Sequence, residues 1–244
     1  MFPYKDDNPT LSTPIVTFVL IGLNILVWVL IQGMGVEPRL SASVCELGLI
    51  PGELLSRLQA GTPVGSGAIP CEVAASPHWI TPLSSMFMHG GWMHLIGNMW
   101  FLWVFGNNVE DSMGKIRFLL FYLLTGVAAA ATQVLVNPAS AIPMVGASGA
   151  ISGVMGAYII LYPRVRVHML VFLGIFITTI TVPAVFMLGY WFLLQLLGGV
   201  PALARESGGV AFWAHTGGFV AGMLLVFVFR SSSLIEARLA HNLP

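Results

Sequence analysis

Charged residues are scarce in this chain of 244 residues. Asp, Glu, Lys and Arg make up only 8% of the chain, whereas a soluble domain usually carries about 25%. The deficit argues against an ordinary soluble protein, and the 57% share of hydrophobic residues indicates a membrane protein. Because basic and acidic residues cancel to a net charge of zero, we expect no nucleic-acid partner.

Cysteine is also rare, since the chain contains only two, Cys45 and Cys71. Both fall in one segment, residues 32–91, which contains Gly, Pro and acidic residues and separates the first two apolar stretches. If this segment faces an oxidising compartment, a disulfide between the two cysteines is possible. Otherwise they are two free thiols, and the sequence leaves both alternatives open.

Long apolar stretches without charges dominate the rest of the chain. Nearly all are close to or above the length needed to cross about 30 Å of hydrocarbon, and the fourth is short. They cover residues 14–31, 92–109, 118–136, 147–162, 169–197 and 210–229. The pattern predicts an all-α membrane protein with six transmembrane helices. Its membrane domain spans residues 14–230, with a long outer loop at about 32–91 and cytoplasmic tails at 1–13 and 231–244.

The distribution of Lys and Arg between the predicted loops sets the orientation. If both termini lie in the cytoplasm, the outer segments hold only three basic residues, Arg39, Arg57 and Arg205. The inner segments hold the other seven, which are Lys5, Lys115, Arg117, Arg164, Arg166, Arg230 and Arg238. We therefore expect cytoplasmic termini in a multi-pass protein of a bacterial cell membrane.

Polar residues on three different spans are predicted to lie at a similar depth. Spans two, four and six all run from the outer to the inner side, so depth is counted at about 1.5 Å per residue from their inner ends. Ser148, His215 and His94 then lie roughly 22–24 Å above that edge, and Asn98 lies about 18 Å above it. Because polar groups at such depth usually face the bundle interior or a water-filled cavity, the four residues indicate a site.

Ser148 and His215 have the chemistry of a nucleophile and its base. A serine hydroxyl is a weak nucleophile that needs an adjacent base, and His215 is the best candidate. Glycines on both helices would allow the close approach that a hydrogen bond requires, although simple helix packing would also explain them. These glycines are Gly149 and Gly153 on the fourth span and Gly218 and Gly222 on the sixth.

Acyl transfer also needs donors for the developing oxyanion, and His94 and Asn98 lie on one face of the second span. The Ser148 backbone N–H is a third candidate. The alternative role is an interhelical hydrogen bond for Asn98 and a buried polar contact for His94. No Asp or Glu lies in these three spans, which favours a Ser–His dyad over a triad.

A zinc site formed by His89, His94 and His215 is disfavoured because no His-Glu-x-x-His motif is present. No cofactor or metal is predicted.

Four segments together resemble the rhomboid family of intramembrane serine proteases. They are "FMHGGWMHLIGNMWFLWVFG", "FGNNVEDSMG", "GASG" and "AHTGGFVAG". The second resembles the loop after the family's second span. The resemblance implies a six-span fold with Ser148 as nucleophile and His215 as general base. It also implies that His94, Asn98 and Gly146, the last a member of the nucleophile motif, stabilise the oxyanion.

The resemblance implies substrates that are other membrane proteins, cut in or near a transmembrane segment that contains helix breakers. It also implies that the outer loop embeds sideways in the outer leaflet.

Two features depart from the family: Ser152 stands where an aromatic residue often packs on the catalytic histidine, and the first loop lacks a Trp-Arg pair. The segment "LGGVPALARESGG" is either a lid or a passive loop. The alternative functions are an inactive rhomboid-like chaperone and a small transporter, although a transporter usually shows internal repeats.

Overall fold

The computed structural model of the chain describes residues 2–64, 71–174, 176–202, 210–241 and 243. The α-helices within these ranges are α1 (Ile15–Leu30), α2 (Arg39–Leu47), α3 (Pro51–Leu54), α4 (Thr81–Ser84), α5 (Trp92–Met113), α6 (Lys115–Val136), α7 (Ser148–Leu161), α8 (Ala184–Ala202), α9 (Phe212–Phe229) and α10 (Ser232–Ala240). The strands are β1 (Phe2–Asp6), β2 (Pro63–Val64), β3 (Cys71–Glu72), β4 (Arg166–Leu173) and β5 (Phe176–Pro183).

The helix α7 is the centre of the bundle. It packs against α5, α6, α8 and α9, and its residues from Gly149 to Tyr158 are all buried. Large aromatic side chains fill the surrounding core, among them Phe105, Phe121 and Tyr122. Close packing of these side chains against α7 holds the helix in place, because van der Waals contact rather than removal from water drives helix association in a membrane bundle.

Three of the described helices are long and apolar enough to cross a membrane, namely α6, α8 and α9. Two further apolar helices, α1 and α7, are shorter. The helix α5 has 22 residues, but its last turns carry Asn108, Glu110 and Asp111. The chain is therefore mostly helical, with three candidate membrane spans among the described residues.

The prediction of an all-α fold is wrong between residues 166 and 183. These residues form an antiparallel hairpin, in which Arg166 pairs with Pro183, and β1 extends it to a sheet in the order β1-β4-β5. The predicted fifth span, residues 169–197, therefore begins as strand, and its helical part starts only at Ala184. The β-branched residues of β5, "FITTITVP", favour an extended backbone, and Pro183 ends the strand.

The outer segment between α1 and α5 is folded onto the bundle. Its ends are held together where Gln32 exchanges two hydrogen bonds of 2.8 Å with the backbone of His89. Cys45 and Cys71 are joined in a disulfide. Residues 46–58 of this segment, "ELGLIPGELLSRL", are mostly apolar and are divided between the end of α2 and the short α3. Their Leu49 and Leu54 pack against Ala130 and Val134 of α6.

The segments predicted as cytoplasmic tails are both ordered parts of the fold. Residues 2–6 form β1, and residues 232–240 form α10. The segment "FGNNVEDSMG" is predicted to be a loop. It instead forms the last turns of α5, and its final residue, Gly114, follows the helix. Glu110 accepts hydrogen bonds from the Thr17 N–H and hydroxyl, both at 2.8 Å, and so caps the amino end of α1, where the preceding proline has no side-chain acceptor.

Arg238 ties both terminal segments to the carboxyl end of α5. It is 1% exposed and donates to an Asp111 carboxylate oxygen at 2.5 Å. It also donates to Asn8, while Asp111 accepts hydrogen bonds from the backbone of Leu11 and Ser12. The buried ion pair thus joins α10, α5 and the amino-terminal segment.

Replacing Arg238 with methionine should lower the free energy of unfolding by about 3 kcal/mol, because it leaves the Asp111 carboxylate buried without its cation. Denaturation followed in mild detergent measures the change. Arg117→Met, at an exposed position on α6, removes the same charge and should unfold like the wild type. Equal loss of stability in both variants would contradict the role of the ion pair.

Candidate active site

Ser148 and His215 meet at one end of the bundle. Ser148 is the first residue of α7, and His215 lies in the first turn of α9. The His215 Nε2 atom is 2.7 Å from the Ser148 Oγ atom, which is hydrogen-bonding distance. Both side chains are half-buried, so the pair is held by the protein yet open to a cavity.

The close contact of α7 and α9 rests on two glycines of α9. A Cβ atom added at Gly218 would lie 2.1 Å from the backbone oxygen of Gly149, and one at Gly222 would lie 2.0 Å from that of Gly153. The two helices could not approach as closely with any side chain at these two positions. Gly218 and Gly222 therefore set the short distance across which Ser148 reaches His215. Gly149 and Gly153 face α6 instead, since a Cβ atom there would lie 2.7 Å from the Ala129 Cβ and 2.3 Å from the Thr125 Cβ.

A second side chain contacts the His215 ring from the opposite side, and sequence reasoning missed it. The Gln195 Oε1 atom lies 2.8 Å from His215 Nδ1, and Gln195 is 8% exposed on α8. One turn earlier on the same helix, the Trp191 ring lies 5.8 Å from the His215 ring, centroid to centroid. Trp191 thus supplies the aromatic contact that Ser152 cannot provide.

The amide of Asn98 and the imidazole of His94 lie beside Ser148. Asn98 is 7% exposed, and its Nδ2 atom finds no hydrogen-bond partner among the residues that the structure describes. The His94 Nδ1 atom accepts a hydrogen bond of 3.3 Å from the Gly90 N–H, so a neutral His94 carries its proton on Nε2. Both residues therefore have a donor available near the serine.

Gly146 has a different part in the site from the one expected. Its backbone N–H donates to the Ser85 carbonyl oxygen at 2.9 Å and so is not free to bind an oxyanion. Its φ of +127° suits glycine, and a Cβ atom there would lie 2.7 Å from His94 Nε2. Gly146 thus makes room for His94, and its predicted role as an oxyanion donor is corrected.

A cavity of about 460 Å³ opens over Ser148, His215 and His94, with walls from the loop before α7 and from the start of α9. A smaller cavity of about 210 Å³ reaches the same three residues from the side of Asn98 and Trp191. The segment "LGGVPALARESGG" ends immediately before Val210 of this wall, and its residues 203–209 lie outside the described ranges. The pair is therefore reached by space large enough for a peptide segment.

The histidines considered as zinc ligands are arranged differently from a metal centre. The rings of His89 and His94 are T-shaped with centroids 5.2 Å apart, and His215 is bonded to Ser148 and Gln195. No group of three or more His, Cys, Asp or Glu side chains that could hold a metal ion occurs among the described residues. The arrangement places a hydroxyl beside an imidazole, with hydrogen-bond donors nearby.

Comparison with known proteins assigns the family. Residues 76–232 match the family model described as the Rhomboid domain. Because this match covers more than half of the chain, the chain belongs to the rhomboid family, and the resemblance seen in its motifs is confirmed. The matched region contains α5 to α9 and with them Ser148 and His215.

Several curated proteins are similar to parts of the chain. Rhomboid-like protein 11, chloroplastic, of Arabidopsis thaliana is 43% identical over 77 residues, 32% of this chain and 27% of that protein. Rhomboid protein 1, mitochondrial, of Saccharomyces cerevisiae is 30% identical over 151 residues, 59% of this chain and 40% of that protein. Rhomboid protease GluP of Bacillus subtilis is 38% identical over 96 residues, 39% of this chain and 18% of that protein. The chain matches less than half the length of each relative.

The names of these relatives bear on the predicted location. They include chloroplastic and mitochondrial proteins as well as a bacterial one, so the specific assignment to a bacterial cell membrane is not supported. The apolar helices and the family together support a membrane-embedded protein.

Proposed function

We propose that this chain is an intramembrane serine endopeptidase that cuts membrane proteins in or near a transmembrane segment. The observation that carries the proposal is the hydrogen-bonding distance of 2.7 Å between Ser148 Oγ and His215 Nε2 at the edge of an open cavity. The membership of the rhomboid family supports it, as does the name of the relative GluP, which is a protease. An inactive chaperone or a small transporter has no need of a hydroxyl bonded to an imidazole.

We propose that six helices cross the bilayer: α1, α5, α6, α7, α8 and α9. The helices α1 and α7 would span only about 24 Å and 21 Å, so the bilayer thins beside them or the chain dips to meet them. In this proposal the loop before α7, which lines the larger cavity, is such a dip, and Ser148 then lies below the outer surface. Arg238 binds both terminal segments at the opposite end of the bundle, in agreement with two cytoplasmic termini.

The reaction begins when His215 Nε2 takes the proton of the Ser148 hydroxyl as Oγ attacks the carbonyl carbon of the substrate. The Asn98 Nδ2 group and the His94 Nε2–H donate to the oxyanion, together with the Ser148 backbone N–H at the free amino end of α7. His215 then gives its proton to the leaving amine. Water hydrolyses the acyl-enzyme in a second cycle of the same proton transfers, with His215 again as the base.

The depth of the site indicates which segments are cut. A peptide bond inside an intact helix is shielded by neighbouring side chains and by its own hydrogen bonds, so a substrate segment must unwind to reach Ser148. Glycine or proline near the outer end of a transmembrane helix lowers the free energy of that unwinding. Such segments are the substrate class that the site favours.

A pair of matched substrates tests this function. Two single-span proteins that differ only by a Gly-Pro or a Leu-Leu pair near the outer end are reconstituted with the enzyme in liposomes. We expect cleavage of the Gly-Pro substrate at least about tenfold faster, since two helix-breaking residues cost the helix roughly 4 kcal/mol. Absence of cleavage in both substrates, or equal rates for both, would contradict the proposal.

A further inference from the structure

We infer that Gln195 is a positioning residue for the proposed reaction, because it selects the tautomer of His215 that can act as a base toward Ser148. This inference rests on the proposed function and goes beyond the two-residue dyad. The geometry places one oxygen atom on each side of the imidazole. Gln195 Oε1 is 2.8 Å from Nδ1, and Ser148 Oγ is 2.7 Å from Nε2.

The orientation of the Gln195 amide fixes which atom faces the ring. Its Nε2 atom donates to the Trp191 carbonyl oxygen at 3.3 Å, and a carbonyl oxygen can only accept. A flipped amide would bring two oxygens together at this contact, so Oε1 is the atom that faces His215. An amide oxygen also only accepts, so the proton of a neutral His215 lies on Nδ1, and Nε2 keeps a free lone pair directed at the Ser148 hydroxyl.

Packing on α8 holds the same arrangement. Gln195 and Trp191 are four residues apart and lie on one face of the helix. The Trp191 ring contacts both His215 and Phe219 of α9, with centroid distances of 5.8 Å and 6.0 Å. One helix therefore supplies both the ring contact and the hydrogen bond that hold the imidazole.

A neutral amide suits this environment better than a carboxylate would. Among the described residues that line the two cavities, none is Asp, Glu, Lys or Arg, and the titratable side chain that shares them with His215 is His94 on α5. A carboxylate at this depth would have to be desolvated, which is costly without a paired cation. Gln195 thus orients the histidine without bringing a charge into the bilayer.

Two substitutions separate this role from a merely structural one. Gln195→Met keeps the length of the side chain but removes the acceptor, and we expect the labelling rate of Ser148 by a fluorophosphonate to fall roughly 10- to 100-fold. Cleavage should show the same loss in kcat with little change in KM. Gln195→Glu restores an acceptor, so it should recover activity at high pH. Its carboxylate favours the protonated imidazole, so the acidic limb of the pH profile should move to higher pH.

The tautomer itself is measured by ¹⁵N NMR of protein labelled at histidine. We expect the His215 proton on Nδ1 in the wild type and a mixture of tautomers in Gln195→Met. Leu194→Met, on the exposed face of α8, should match the wild type in rate and spectrum. Normal wild-type labelling that is unchanged in Gln195→Met, or a wild-type proton on Nε2, would overturn the positioning role alone. Absence of labelling in the wild type would overturn the proposed function and this inference together.

Discussion

Replacement of Ser148 with alanine should reduce cleavage of a reconstituted single-span substrate by about 10⁵-fold or more. The change removes one oxygen atom, and with it the only group that can form the acyl-enzyme in this mechanism. Loss of a serine nucleophile typically costs on the order of 10⁶ in kcat, and the remainder comes from the oxyanion donors and from binding. The initial rate of product formation in liposomes measures the effect.

Ser140→Ala is the matched control, because Ser140 lines the same cavity and its hydroxyl accepts a hydrogen bond from the Ile142 N–H. This variant should cleave the substrate at nearly the wild-type rate. Retention of more than a few per cent of the activity in Ser148→Ala, with normal unfolding behaviour, would show that another group attacks the peptide bond.

His215→Asn should lose roughly as much activity as Ser148→Ala, because the hydroxyl then has no base within hydrogen-bonding distance to take its proton. The residual rate should rise steadily with pH, since hydroxide replaces the missing base. The two substitutions together should cost little more than either alone, because serine and histidine act as one unit. Rates across the pH range for the single and double variants measure this.

His241→Asn provides the matched control at an exposed position after α10 and should behave like the wild type. A His215→Asn variant with a loss below about tenfold would contradict the role of general base. Strictly additive losses in the double variant would argue that the two residues act separately.

The site was predictable where the argument depended on counting along single helices. Ser148, His215, His94 and Asn98 lie near the amino ends of α7, α9 and α5, and a fixed rise per residue predicts a similar height for all four. The glycine faces were also visible in the sequence. The choice of Gly146 as an oxyanion donor was wrong because the carbonyl that occupies its N–H belongs to Ser85, which is 61 positions earlier in the chain.

The sheet could not be predicted because an apolar run has no unique secondary structure. The apolar run that begins at residue 169 resembles a span, yet its first part belongs to the two strands β4 and β5, which pair with each other. The strand β4 also pairs with β1 at the amino terminus, more than 160 positions earlier. Long-range pairing of this kind leaves no local signal beyond the β-branched residues of β5. The folded terminal elements β1 and α10 were missed for the same reason, since β1 pairs with β4 and Arg238 of α10 contacts Asp111 of α5.

The missed role of Gln195 follows from that error. If the fifth span starts at residue 169, Gln195 lies about 39 Å from its inner end, beyond the hydrocarbon region. With α8 beginning at Ala184, Gln195 lies about 16 Å along the helix from its first residue. In the proposed topology that height is near the middle of the bilayer. A polar amide at that depth would have been recognised as part of the site.

Mapping the adduct of a fluorophosphonate on the wild-type protein in a bilayer tests the central claim most directly. After labelling and digestion, mass spectrometry of the peptides identifies the modified side chain. We predict a single adduct on Ser148, which disappears when His215 is replaced with asparagine. A protein that remains unmodified at saturating reagent, or an adduct on another serine such as Ser140 or Ser152, would contradict the assignment of Ser148 and His215 as a catalytic pair.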